Sequence, residues 1–100
     1  MSDAFTRYVI TLTRKLDHPR DEELIRSHVA YLRGLDKQGL LVLAGPFDDG
    51  RGGMVIIKAE SLEAAQAVAN ADPFVTSGSV DAEVRTWKLS CEENNHLGMA

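Results

Sequence analysis

Cysteine is almost absent: the 100 residues contain one, Cys91, so no disulfide can form within the chain. A small domain without disulfides fits a reducing compartment, and a cytoplasmic protein is the simplest reading. Cys91 has no neighbours that would activate a thiol and is read as incidental. Long apolar runs are missing too. The longest, Gly39 to Gly45, is far too short to span a bilayer, and no targeting segment opens the sequence. No membrane partner is therefore expected. Positive charge is in deficit, with 11 Lys and Arg against 15 Asp and Glu and a net charge of −4. No basic stripe is interleaved with aromatics, so nucleic acid is not an expected partner. No internal repeat and no low-complexity segment occurs.

What is present suffices for one globular domain over residues 1–100. The 44% of hydrophobic residues argues against disorder and allows a modest core. Phe5 to Thr13 is rich in β-branched and aromatic residues and reads as a strand. Pro19 suits a helix's first turn, and Asp21, Glu22 and Glu23 place negative charge where a helix start favours it. The helix runs to about Gln38, with Gly39 just past its end. Its apolar stripe is Leu24, Ile25, Val29, Leu32 and Leu35. His28 lies within that stripe, with Tyr31 on its flank.

Leu40 to Phe47 predicts a second strand whose continuous apolar run implies burial on both faces. Pro46 removes a ladder donor, which suits an edge. Asp48 to Gly53 holds the Asp-Gly pair of tight hairpins, and Met54 to Ala59 is a third strand. Ser61 is an acceptable cap for a second helix, Leu62 to about Ala71, burying Leu62, Ala65, Val68 and Ala69. Val80 to Leu89 is a fourth strand. Residues 90–100 show no periodicity and are expected to be loosely ordered. The order β-α-β-β-α-β predicts a ferredoxin-like α+β fold: one antiparallel four-stranded sheet with two helices on one face. The other face would be bare, and its apolar residues predict cover by a second copy, hence a homodimer or higher homo-oligomer.

The corner from Ala71 to Gly78 carries the candidate chemistry. Proline excludes its predecessor from the helical region, so Asp72 leaves the second helix in an extended conformation. The dipole at a helix C-terminus does not favour an anion, so this carboxylate needs a cationic or donor partner. His28 is that candidate. A ring nitrogen is expected within about 2.6–3.2 Å of an Asp72 oxygen, directly or through one water.

His28 with Tyr31-Leu32, Gly39-Leu40, Ala44-Gly45-Pro46, Ala71-Asp72-Pro73-Phe74 with Gly78, and Trp87 together resemble the YciI-like family of the dimeric α+β barrel superfamily. The resemblance covers about residues 5–89 and leaves the tail unaccounted for. It implies a small cytoplasmic dimer with a histidine–aspartate pair in a cleft, carried here by His28 and Asp72. Some relatives act in breaking down substituted aromatic compounds.

Two readings of the pair stay open at this stage. In one, Asp72 fixes the His28 tautomer and the free ring nitrogen moves a proton on a small aromatic or dicarbonyl substrate, as an isomerase, lyase or dehalogenating enzyme. In the other, the pair is a structural pin in a non-catalytic dimeric ligand-binding or interaction module. Gly45, Pro46, Phe74 and Ser77 are candidates for lining a cleft beside the pair, each with an alternative as turn or core. Ser77 would otherwise bond its own turn. Ser27 points about a quarter-turn away from His28 on the helix, and no nucleophile elbow exists.

A metal site is not expected, since His28 and Asp72 are two ligands where catalytic zinc usually has three. His18 reads as a surface or capping residue, His96 as solvated, and Trp87 as core or dimer contact. Gly50-Arg51-Gly52-Gly53 lies between strands, not before a helix, so it is read as a hairpin loop and no phosphate cofactor is expected.

Overall fold

The computed structural model describes residues 4–18 and 21–99. Pro19 therefore lies outside the described residues. The elements are β1 (Thr6–Arg14), α1 (Glu22–Lys37), β2 (Leu41–Pro46), β3 (Gly52–Ile57), α2 (Leu62–Asn70), α3 (Pro73–Thr76) and β4 (Val80–Lys88). All strand pairs are antiparallel, in the order β2-β3-β1-β4, which is the ferredoxin-like sheet. Among the described residues no helix is long and apolar enough to cross a membrane.

Alternation along β1 sorts the two faces. Tyr8, Ile10 and Leu12 are buried, and the register sets Ile57 and Val55 of β3 opposite Tyr8 and Ile10. Val84 and Ala82 of β4 join the same face. Leu35 of α1 and Ala65 and Ala69 of α2 close this core, the alanines allowing α2 to lie close to the sheet. The second helix begins on the expected cap, Ser61, and the first on Asp21, expected only as negative charge at its start. The Asp21 carboxylate accepts the Leu24 N–H at 2.8 Å, and the Ser61 hydroxyl accepts the Ala64 N–H at 3.0 Å. Gly39, at φ 75°, takes the left-handed conformation that ends α1. Leu62, expected to be buried, is about half exposed because it occupies the first turn of α2.

The second strand takes the edge position that Pro46 suits. β2 is an edge strand, and in the single chain its apolar run is largely exposed, Leu43 by 66%. An uninterrupted apolar run was read as double burial. Here one edge pairs with β3, and much of the remaining apolar surface is left exposed by the described residues. Trp87 is also not core: it pairs with Arg7 on the uncovered face and is 44% exposed.

Gly52 and Gly53 have a packing reason. A Cβ on Gly52 would stand 1.8 Å from the Leu12 carbonyl oxygen, and one on Gly53 2.7 Å from that of Gly45. β3 can approach both neighbours only where these side chains are missing.

The tail is more structured than expected. A 3₁₀ turn over Glu92–Asn94 leads into Asn95, His96 and Leu97, all with positive φ. The Asn94 side chain holds this turn, accepting from the Cys91 and Leu97 N–H groups and donating to the Leu89 carbonyl.

Candidate active site

α1 does not lie flat on the sheet. Leu35, in its second half, is in the core with 4% exposure, whereas Ile25 and Val29 in its first half are 40% and 38% exposed. The stripe is continuous, but its first half overhangs a cleft of about 430 Å³. Ile25, His28, Val29 and Leu32 form one wall. Leu12 and Val55 come from the sheet, Ala44 to Pro46 and Gly52 to Met54 from the β2–β3 hairpin, and Phe74 and Val80 from the corner. A volume of this size suits a compound of roughly one ring. His28 is the ionisable side chain in this apolar lining.

The expected contact is present. The His28 Nδ1 lies 2.8 Å from the Asp72 Oδ1, joining α1 to the corner across 44 residues of sequence. Both side chains are largely buried, with 13% and 5% of their surfaces accessible. The same Oδ1 accepts the Phe74 N–H at 2.9 Å. Asp72 is therefore the N-cap of α3, with Pro73 in its first turn. This corrects the expected electrostatics: the carboxylate closes the start of a new helical turn, where free N–H groups welcome an anion.

Phe74 also stacks on the imidazole, with ring centroids 4.0 Å apart and planes 14° from parallel. The ring is thus held in its plane by stacking and in rotation by a hydrogen bond. An ionised carboxylate only accepts, so Nδ1 carries the hydrogen in this pair. The nitrogen left for the cleft is Nε2, which has no hydrogen-bond partner among the described residues.

Tyr31 supports the arrangement from behind. Its hydroxyl donates to the Val68 carbonyl at 2.6 Å, near the end of α2, and so ties α1 to α2. Burial, and then the negative charge of Asp72, push the Tyr31 hydroxyl above its ordinary value near 10.

The other candidates divide. Gly45, Pro46 and Phe74 line the cleft. Ser77 is not among the lining residues, and its hydroxyl donates to the Phe74 carbonyl at 3.2 Å within its own turn. The Ser27 hydroxyl donates to the Glu23 carbonyl one turn back. His18 packs its ring beside Gly78 and His96 is exposed. Among the described residues no third His, Cys, Asp or Glu joins the pair in a group that could hold a metal ion. The sequence places Ile25 and Val29 in the apolar stripe but not at the cleft, because periodicity gives the face of a helix and not its distance from the sheet.

A four-stranded antiparallel sheet with two helices over one face, and a histidine–aspartate pair at the edge of a small apolar cleft, defines a class of small α+β proteins. Within it, residues 6–88 match the YCII-related domain, and the chain belongs to that family. It is 39% identical over 69 residues to the uncharacterized protein YjpA of Bacillus subtilis, covering 69% of this chain and 81% of that one. It is 42% identical over 82 residues to protein YciI of Escherichia coli, covering 71% and 84%. Its fold is similar to that of 5-chloro-2-hydroxyhydroquinone dehydrochlorinase (TftG) from Burkholderia phenoliruptrix, solved with 2,5-dihydroxybenzoquinone. The TM-score is 0.62 and the identity 24%, over 82% of this chain and 93% of that one.

Proposed function

We propose that this chain is a cytoplasmic homodimeric acid–base enzyme of the YciI-like family. It moves a proton on a small oxygenated aromatic or dicarbonyl compound, in an isomerisation, a lyase reaction or the elimination of a halide. The observation that carries this reading is the 2.8 Å His28–Asp72 contact at the wall of an apolar cleft. His28 is the base. With Nδ1 committed to Asp72, Nε2 accepts a proton from a substrate carbon or hydroxyl. The electron pair released forms a new π bond, and in the elimination case halide leaves with its bonding pair. Asp72 fixes the tautomer and stabilises the imidazolium. Such proton transfer contributes roughly 100- to 10,000-fold. Gly45, Pro46 and Phe74 would contact the substrate. The dehydrochlorinase of similar fold, solved with a dihydroxyquinone, supports a halogenated hydroquinone as the first compound to try.

Homodimerisation is supported by Leu43, Met54 and Trp87 on the uncovered sheet face. A second copy packed face to face would remove this apolar area from water.

Asp72 also caps α3 and His28 also pins α1, and these structural duties favour a second reading, a ligand-binding module without turnover. Chloride release and the ultraviolet spectrum of 5-chloro-2-hydroxyhydroquinone separate the two. The enzyme reading expects turnover that falls at least a hundredfold in His28→Ala while the fold is kept. Equal turnover in His28→Ala removes His28 as the base.

A further inference from the structure

Arg14 is the last residue of β1 and shares its face with Tyr8, Ile10 and Leu12 by strand alternation. Leu12 lines the cleft, and Arg14 stands two residues further along, about 7 Å. Its partner across the sheet is Val80, another lining residue. Its backbone N–H donates to the Arg51 carbonyl at 3.1 Å, and its Nη1 reaches the Gly50 carbonyl at 3.5 Å. The guanidinium is thus beside the β2–β3 loop; Arg14 does not itself line the cleft, but its neighbours Leu12 and Val80 do.

This cation is poorly provided for. A guanidinium has five N–H donors. The described residues take up one of them, at the outer limit of hydrogen bonding. Its Nε is shielded from solvent without an acceptor. The ion pairs among the described residues join Lys15 to Asp81, Arg26 to Glu22 and His28 to Asp72, and none involves Arg14. Asp49, an acid of the adjacent loop, turns its Oδ1 to the Arg51 N–H at 2.9 Å. Arg7, at the far end of the same strand, also has a shielded Nε, but two carbonyls hold its Nη1 at 2.9 and 3.1 Å.

A partly buried cation with unused donors favours an anionic acceptor, and its planar fork matches a carboxylate. We propose that Arg14 receives the anionic group of the compound bound in the cleft, so that the cleft selects small rings carrying a carboxylate or an ionised hydroxyl. The apolar walls take the body of the compound, and Arg14 fixes which end points away from His28. This rests on reading the cleft as the ligand site, and not on His28 acting as a base.

The probes are 2,5-dihydroxybenzoate and its methyl ester, equal in ring and hydroxyls and differing in charge. Calorimetry should show the acid binding about tenfold or more tighter than the ester, as expected of a charge-assisted contact. Arg14→Gln should erase the preference and leave ester binding unchanged. His28→Gln should keep the preference even where turnover is lost, which separates failure of this assignment from failure of the acid–base reading. Equal binding of the two probes, no binding of either at millimolar concentration, or an unchanged preference in Arg14→Gln overturns the assignment. Should Arg14→Gln lose ester binding as well, Arg14→Lys decides: a retained preference there upholds the assignment and a lost one overturns it.

Discussion

The two faces of the sheet are made from alternate residues of the same strands, yet they end in different states. On the helix side, Tyr8, Ile10, Val55 and Ile57 are all but inaccessible. On the other side Ile56 is buried, but Leu43, Met54 and Trp87 keep a third to two thirds of their surface. The helix side departs from closure where α1 overhangs the cleft. Apolar content alone therefore does not say what a residue is for. Ile57 stabilises the fold, Ile25 lines the cleft, and Leu43 stays exposed on the face proposed to meet a second copy.

The comparison is sharpest at the core. Ile57→Ala should lower unfolding free energy in urea by about 2–5 kcal/mol, through lost burial and the cavity left behind. A loss under about 1 kcal/mol would mean that the covered face is not the core. Asp72→Ala comes next. It removes a helix cap and the acceptor of the His28 hydrogen bond, and about 2–3 kcal/mol is expected. Asp72→Asn keeps an oxygen to cap α3, so it should recover part of this loss while changing the His28 tautomer seen by ¹⁵N NMR. Identical losses in the two variants would argue against the capping role.

Tyr31→Phe should cost about 1 kcal/mol, the hydrogen bond to Val68. Its pH dependence follows from the direction of the shift. The Tyr31 hydroxyl is pushed above 10 in the folded chain, so its contribution is full below pH 10 and fades as pH rises past the folded value. Tyr31→Phe should flatten that alkaline limb of a thermal unfolding profile, and an unaltered limb would assign the alkaline loss elsewhere. The smallest effect on the chain's own stability belongs to the uncovered face. Leu43→Lys should change it by no more than about 0.5 kcal/mol, yet sedimentation should shift toward the 11.0 kDa monomer. Unchanged association would remove this face from the proposed interface.

Much of this was legible in the residues. The β-branched first strand, the negative charge from Asp21 to Glu23, the Ser61 cap and the Gly39 stop gave the order of elements. The stripe position of His28 and the Asp72-Pro73 pair gave the contact. The capping of α3 was missed because a four-residue helix has no period to detect, so Asp72 was read only as the end of what precedes it. The exposure of β2 in the single chain is what an edge strand with one bare face gives, and its proposed cover needs a second copy. The left-handed turn after Asn94 was missed because Asn95, His96 and Leu97 are not glycines; hydrogen bonds of the Asn94 side chain, and of the His96 N–H to the Cys91 carbonyl, hold them there.

The 44-residue span between His28 and Asp72 has a consequence in time. The hydrogen bond closes a loop that contains the second half of α1, the β2–β3 hairpin and all of α2. Closing such a loop is unfavourable until the elements inside it have docked. A chain still emerging from synthesis, or one stalled partway to the native state, has a histidine and an aspartate but no pair. Proton transfer by this site would then begin only with completed folding, and its appearance would serve as a clock for the final step.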